Sequence, residues 1–219
     1  DRGVLIIEDP SLLKCLQNLA YDQFYCEHIY VFSTLSLREV LKNFKLEIFD
    51  VENTKTHGGS NRYYIKKNIN SLYKISNRVK IEIKKELQFG INKFSTYQTF
   101  AKKVKISKNK LLKIFSSLSK KKLRIVGYGA TAKSCTVLNY CGLGKNDIKY
   151  FYDTTSYKIN KYLPGSKILI KKYKKLNRKE IDVAFLGAWN FKKEIFKKEK
   201  QFIKSGGKFI THVPYPKII

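Results

Sequence analysis

Apolar and polar positions follow two different rhythms along this chain of 219 residues. An apolar run rich in β-branched residues covers 3–8 and stops at Asp9-Pro10. Such a run predicts a strand buried in a parallel sheet. A helical stretch is expected over 11–23. A second helix is expected over 36–44, with Leu37, Val40, Leu41 and Phe44 on one face and Ser33 or Ser36 as its cap. Two strands, 46–51 and 60–65, are then joined by a polar turn at 53–59. Residues 1–66 read as the finishing strands and helices of a doubly wound sheet.

Between 67 and 120 lysines interleave with Ile69, Leu72, Ile75, Ile81, Ile83 and Leu87, which predicts a helical connector with a wet charged face. Two of its helices are expected over 94–104 and 108–119, with breaks at Gly90 and in the Ser-Lys run 116–122. From 121 to 219 the alternation is cleaner. Strands at 123–127, 148–153, 181–187 and 208–213 flank helices at 132–141 and 191–204. Strands alternating with helices imply a parallel sheet with right-handed crossovers. The fold class is therefore α/β.

Composition narrows the function. Hydrophobic residues make up 43% and aromatics 14%, which excludes a disordered tail. Lys plus Arg is 45 against 17 for Asp plus Glu, a net charge of +28. That balance raises the question of a polyanion partner. Only six of the basic residues are arginine, namely Arg2, Arg38, Arg62, Arg78, Arg124 and Arg178. Sequence-specific readers of nucleic acid favour the bidentate arginine fork. The lysines read as compositional drift on a solvated surface, and no specific nucleic-acid partner is expected. Cys15, Cys26, Cys135 and Cys141 form no C-x-x-C pair, so no metal site is expected in this chain. Scattered thiols without a signal peptide fit a reducing cytoplasm. No apolar run reaches the roughly 20 residues of a membrane span. The chain opens at Asp1 almost directly on a strand and contains no Met, which suggests a fragment lacking its N-terminal part.

Four clusters could carry chemistry. Gly127-Tyr128-Gly129-Ala130-Thr131-Ala132-Lys133 follows a strand and opens a helix. In that context Gly127 permits a tight turn and Gly129 a close approach to phosphate, while Ala132 replaces the third glycine. Free N–H groups at the helix start attract an anion, and Lys133 adds charge. Asp153 ends the next strand, where a ribose hydroxyl is often held. A tight turn with no ligand is the plain alternative. The second cluster is Tyr21-Asp22-Gln23-Phe24-Tyr25-Cys26-Glu27-His28. Its histidine is suited to proton transfer near neutral pH, with Tyr25 or Glu27 to orient it or bind a hydroxyl. A half-buried histidine on an aromatic face is the alternative. The third is the donor-rich turn His57-Gly58-Gly59-Ser60-Asn61-Arg62, which alone is compatible with an ordinary loop. The fourth is Trp189-Asn190, beyond a strand end where open α/β sheets bind ligands.

Taken in order, Glu8-Asp9-Pro10, the Tyr-Asp-Gln-x-Tyr-x-Glu-His and His-Gly-Gly-Ser-x-Arg motifs, Gly-Tyr-Gly-Ala-x-Ala-Lys, Leu138-Asn139-Tyr140-Cys141, Tyr162-Leu163-Pro164-Gly165 and Ala188-Trp189-Asn190-Phe191 resemble the S-adenosylmethionine-dependent sugar C-methyltransferases. The likeness is to 3-C-methyltransferases acting on nucleotide-linked 4-keto-deoxysugars, and it runs from Gly3 to Pro214. The resemblance implies that 1–66 is the C-terminal part of a class I methyltransferase domain and 67–120 a helical connector. Residues 121–219 would be a Rossmann-like domain that binds the nucleotide sugar. It also implies an upstream zinc module, the only place zinc is expected, and an upstream glycine-rich loop for S-adenosylmethionine. Neither has a counterpart in this chain. His28 maps onto the family's base, with Tyr25 and Glu27 beside it. His57, Gly58, Gly59, Ser60 and Arg62 would line the sugar's cleft. Gly127, Gly129, Ala130, Lys133, Asp153 and Asn190 would hold the nucleotide end. A noncatalytic sugar-nucleotide or dinucleotide-binding module is the alternative reading.

Overall fold

The computed structural model describes residues 2–219. The described residues divide into two compact units, one of 2–20 with Glu27–Ala101, the other of Tyr21–Cys26 with Lys102–Ile219.

The first unit begins with β1 (Val4–Pro10) and a short helix, α1 (Leu12–Gln17), capped by Ser11. α2 (Thr34–Lys42) follows, then β2 (Leu46–Thr54), β3 (Ser60–Lys67) and α3 (Asn77–Phe89). The three strands form an antiparallel sheet in the order β1-β3-β2. This corrects the expectation for 3–8. The strand exists, but it is antiparallel, and Val4, Leu5 and Ile6 are exposed. A continuous apolar run signals a strand without specifying its neighbours. The core of this unit joins Leu37 and Leu41 of α2 to Ile48, Val51, Tyr63 and Ile65 of the sheet and Val79 of α3.

Both serines weighed as the cap of α2 take part. Ser33 Oγ accepts from the Ser36 amide at 3.0 Å, and Ser36 Oγ accepts from the Ser33 amide at 3.0 Å. This reciprocal box fills two of the helix's orphan donors. Glu86, fully buried in α3, fills two more, with its oxygens 2.6 and 2.9 Å from the Thr34 and Leu35 amides. Burial still pushes its carboxyl pKa up against those bonds.

α4 (Phe94–Lys120) is one helix of 27 residues where two were expected. No Gly or Pro interrupts 104–108, and Ser107 is buried within the helix. Tyr97 and Phe100 belong to the first unit's small cluster with Leu13, Leu16 and Ile91. Leu111, Phe115 and Leu118 are buried in the second unit.

The second unit continues with β4 (Ile125–Tyr128), α5 (Ala132–Cys141), β5 (Phe151–Asp153), β6 (Ile170–Lys172) and β7 (Val183–Leu186). It closes with α6 (Lys192–Lys198), α7 (Lys200–Lys204), β8 (Lys208–Thr211) and β9 (Lys217–Ile218). The sheet order is β6-β5-β4-β7-β8-β9, parallel except for the edge strand β9. The α/β class and the mostly parallel sheet expected from the alternation are both present. The helix expected over 191–204 is broken at Glu199. Its buried carboxylate accepts from Tyr128 Oη at 3.1 Å, Tyr173 Oη at 2.5 Å and the Leu176 amide at 3.0 Å.

Asp182 ties β4 to β7. It accepts from the Arg124 amide at 2.8 Å and Arg124 Nε at 2.9 Å, and is also paired with Arg178. These bonds hold its carboxyl far below the ordinary value of 3.8, chiefly through Arg124. A depressed folded pKa adds stability above the ordinary Asp range, and that stability is lost as pH falls through and below it. Asp182→Asn is therefore expected to lower the melting temperature at neutral pH and to flatten the acid limb of a stability–pH curve. Thermal unfolding across that pH range checks it, and an unchanged acid limb contradicts it.

Candidate active site

In the first unit the histidine motif ends at the C-terminal end of β1. His28 Nδ1 lies 3.4 Å from Asp9 Oδ1, and both side chains are largely buried. Burial pushes the Asp9 carboxyl up, opposed by His28 and by a hydrogen bond from the Phe32 amide. A carboxylate facing one ring nitrogen fixes the orientation of an imidazole. The His57 ring stands edge-on to His28, with centroids 5.6 Å apart. His57 is exposed, with a positive φ of 52°. The sequence separation between His28 and His57 hid this pairing.

The rest of the third cluster is tied to the same sheet. Gly58 O accepts from Asn18 Nδ2 at 3.3 Å, Gly59 O from the Ser11 amide at 3.1 Å, and Ser60 Oγ donates to Thr56 O. Arg62 sits opposite Glu8 on one neighbour and Glu52 on the other. Its guanidinium lies 2.7 Å from Glu8 and 3.6 Å from Glu52. Its charge is thus shared with a cross-strand ladder. Glu27 is exposed and, like His28, belongs to the first unit; Tyr25 is half-buried and belongs to the second.

In the second unit the glycine-bearing turn stands where β4 and β7 lie side by side. The connection from β4 leads to β5 on one side, and that from β7 leads to β8 on the other. This is a topological switch point, where open α/β sheets take ligands. The backbones following the two strands nearly touch. A Cβ on Gly187 would meet Ser134 Oγ at 2.0 Å and Gly129 O at 2.4 Å. Gly129, at φ +85°, faces Ala188 with 2.8 Å for a Cβ. Gly127 lies within β4, buried against the Phe151 ring. Thr131 caps α5, accepting from the Ser134 amide at 3.1 Å.

Asp153 braces the turn. Its oxygens accept from the Ala130 amide and the Thr155 amide, each at 2.8 Å. Lys158 Nζ donates to Ala130 O at 3.0 Å. A cavity of about 380 Å³ opens beside them. Tyr128, Tyr152, Tyr173 and Phe191 supply its rings, and Lys158 and Lys198 its cations. Lys198 Nζ sits 3.6 Å above the Tyr173 ring. Burial pushes the Tyr173 hydroxyl up to about 12, so it remains a hydrogen-bonding phenol at neutral pH. Lys133 is buried, with its ammonium 5.4 Å over the Trp189 ring. Asn190 is half-buried beside Trp189.

The match over residues 55–214 is to the family described as C-methyltransferase C-terminal domain. The chain belongs to this family. The C-methyltransferase NovU of Streptomyces niveus is 31% identical over 217 residues, which is 99% of this chain and 51% of that protein. The chain thus spans about half the length of the curated relative it matches.

Within this C-methyltransferase C-terminal domain, Gly129, Ala130 and Asp153 come together at the switch point, whereas Gly127, expected in the turn, lies inside β4 against the Phe151 ring. Lys133 points its ammonium at Trp189, and among the described residues it does not line the cavity. Sequence reasoning missed the three tyrosines, Lys158, Lys198 and Glu199. Only Tyr150 and Tyr152, alternating along one strand, gave a signal. It also passed over Asp22, whose place in the Tyr-Asp-Gln motif was visible.

Lys158 and Lys198 line this space together with Glu194, while Asp153 is committed to backbone amides. Among the described residues no group of three His, Cys, Asp or Glu side chains could hold a metal ion. No helix among them is long and apolar enough to cross a membrane.

Gly187→Ala is expected to force the two loops apart. Overpacking of this kind costs about 1–3 kcal/mol. A lowered melting temperature would agree, and unchanged stability would show that the contact gives way freely.

Proposed function

We propose that the protein carrying this chain transfers a methyl group to C-3 of a nucleotide-linked 4-keto-deoxysugar, with His28 as the base. The observation that carries the reading is the His28–Asp9 pair at the end of β1 in a chain of the C-methyltransferase family. A 4-keto group acidifies the neighbouring C-3 proton. Asp9 accepts from His28 Nδ1 and orients the ring, and Nε2 takes the C-3 proton, leaving an enolate. Histidine is a common general base for such an abstraction near neutral pH. His57 stands edge-on to the base, and Glu27 polarises the ketone or holds sugar hydroxyls. S-adenosylmethionine supplies the methyl group.

The second unit binds the nucleotide diphosphate. Amides at the start of α5 and the lysines beside the turn favour an anion. Asp153, Gly129 and Ala130 shape the approach, and Asn190 contacts the same ligand. A cytoplasmic setting belongs to the proposal, supported by four free cysteines.

A second reading is a noncatalytic nucleotide-binding module. It is favoured by a cavity lined wholly by residues of the second unit. Substitution at the base separates the two. In the protein carrying this chain, His28→Asn keeps size and some hydrogen bonding but cannot accept the proton. Methyl transfer is expected to fall by about 10² to 10⁴ while nucleotide-sugar binding persists. A variant with undiminished methyl transfer places the base elsewhere. Binding without methyl transfer in the unsubstituted protein supports the module instead.

A further inference from the structure

Asp22 is the most deeply placed acid of the histidine motif, and the proposed chemistry gives it no role. It is completely buried in the short 3-10 turn Tyr21–Gln23, which belongs to the second unit. Its Oδ2 accepts from Trp189 Nε1 at 2.6 Å and lies 2.9 Å from His212 Nε2. His212, also completely buried, stacks on Phe185 of β7 with centroids 5.6 Å apart. The other carboxylate oxygen, Oδ1, and His212 Nδ1 have no hydrogen-bond partner among the described residues. A buried carboxylate generally has its oxygens filled, and an open one asks for a reason. Asp22 also grips an indole 167 residues away.

That indole sits at a working position. Trp189 lies between Ala188 and Phe191, both of which line the switch-point cavity. Its ring carries the Lys133 ammonium on its face. Ala188 is also the residue that Gly129 nearly touches. Fixing the indole N–H therefore fixes the loop that forms one side of the cavity and the position of Lys133 beside the glycine turn. We propose that Asp22 is a positioning residue that sets the 188–191 loop for nucleotide binding, acting through Trp189. The proposal rests on the reading of this cavity as the nucleotide site. A hydrogen bond to a buried carboxylate is strong and directional, so it restrains the loop more tightly than packing alone.

The 219-residue chain contains a single tryptophan, so one indole N–H resonance reports on Trp189 alone. In the unsubstituted chain that resonance is expected far downfield, slow to exchange with solvent, and shifted by added deoxythymidine diphosphate. Asp22→Asn should move it upfield, speed its exchange and weaken diphosphate binding about tenfold, the scale of one charge-assisted hydrogen bond. Trp189→Phe keeps an aromatic ring but removes the N–H with part of the indole, leaving His212 Nε2 as the partner of the buried carboxylate. It should weaken binding to a similar degree. The double variant should bind no worse than the weaker single variant, because the two residues act as one unit. In methyl transfer by the protein carrying this chain, both substitutions should raise KM and leave kcat nearly unchanged.

A purely structural role for Asp22 predicts a lower melting temperature with unchanged affinity in the folded protein, and that result overturns the proposal. Wild-type affinity in Trp189→Phe overturns it too, even if Asp22→Asn fails to fold. An indole resonance that Asp22→Asn leaves in place overturns it without any ligand. Failure of the unsubstituted chain to bind the diphosphate overturns the nucleotide reading and, with it, the role assigned to the loop. The indole resonance still shows separately whether Asp22 holds Trp189.

Discussion

The second unit depends on one close approach of backbone. Beyond β4 and β7 the chain passes itself at Gly129 and Gly187 with no room for a side chain. Ser134 Oγ donates to Gly129 O at 2.9 Å within the turn, and Thr131 Oγ1 donates to Gly187 O at 3.4 Å across the gap, so the first turn of α5 is fastened to it. Because the loops are pinned together, Ala188 and Phe191 face the same space as Gly129 and Thr131. The cavity, the helix start and the Trp189 loop all follow from that contact. Asp153 and Lys158 then brace the turn through Ala130 from the β5 side.

The distribution of charge is as telling as its sum. Acids are few, yet Asp22, Glu82, Glu86, Asp153, Asp182 and Glu199 are all buried, while among the described basic residues only Lys66 and Lys133 are. Buried carboxylates must be held by donors. Here they hold helix starts, the Glu199 break, the β4–β7 staple and the glycine turn. The acids are therefore fixed by structure, whereas most lysines lie on solvated surface. A net charge of +28 can arise in this way without a dedicated polyanion partner.

The sequence was most legible where local rules act alone. Ala132–Cys141 was bounded correctly because Thr131 and Gly142 mark its ends and nothing distant intervenes. The parallel sheet followed from alternation of strand and helix. Distant contacts defeated the rest. β1 was misjudged because an apolar run does not reveal antiparallel partners. The break at Glu199 depends on Tyr128, Tyr173 and Leu176, which no local pattern links to it. In the site, the glycines and His28 were visible as motifs. The Asp9 partner, the His57 ring and the cavity tyrosines became visible only once folding had brought them together.

The central claim is that His28 removes a proton from C-3, and hydrogen exchange at that carbon tests it most directly. The protein carrying this chain would be incubated with the keto-sugar nucleotide in deuterium oxide, without methyl donor, and C-3 followed by NMR. The account predicts that the unsubstituted protein washes deuterium into C-3 and that His28→Asn does not. Exchange by His28→Asn at the unsubstituted rate would contradict it and would move the base to Tyr25, Glu27 or His57.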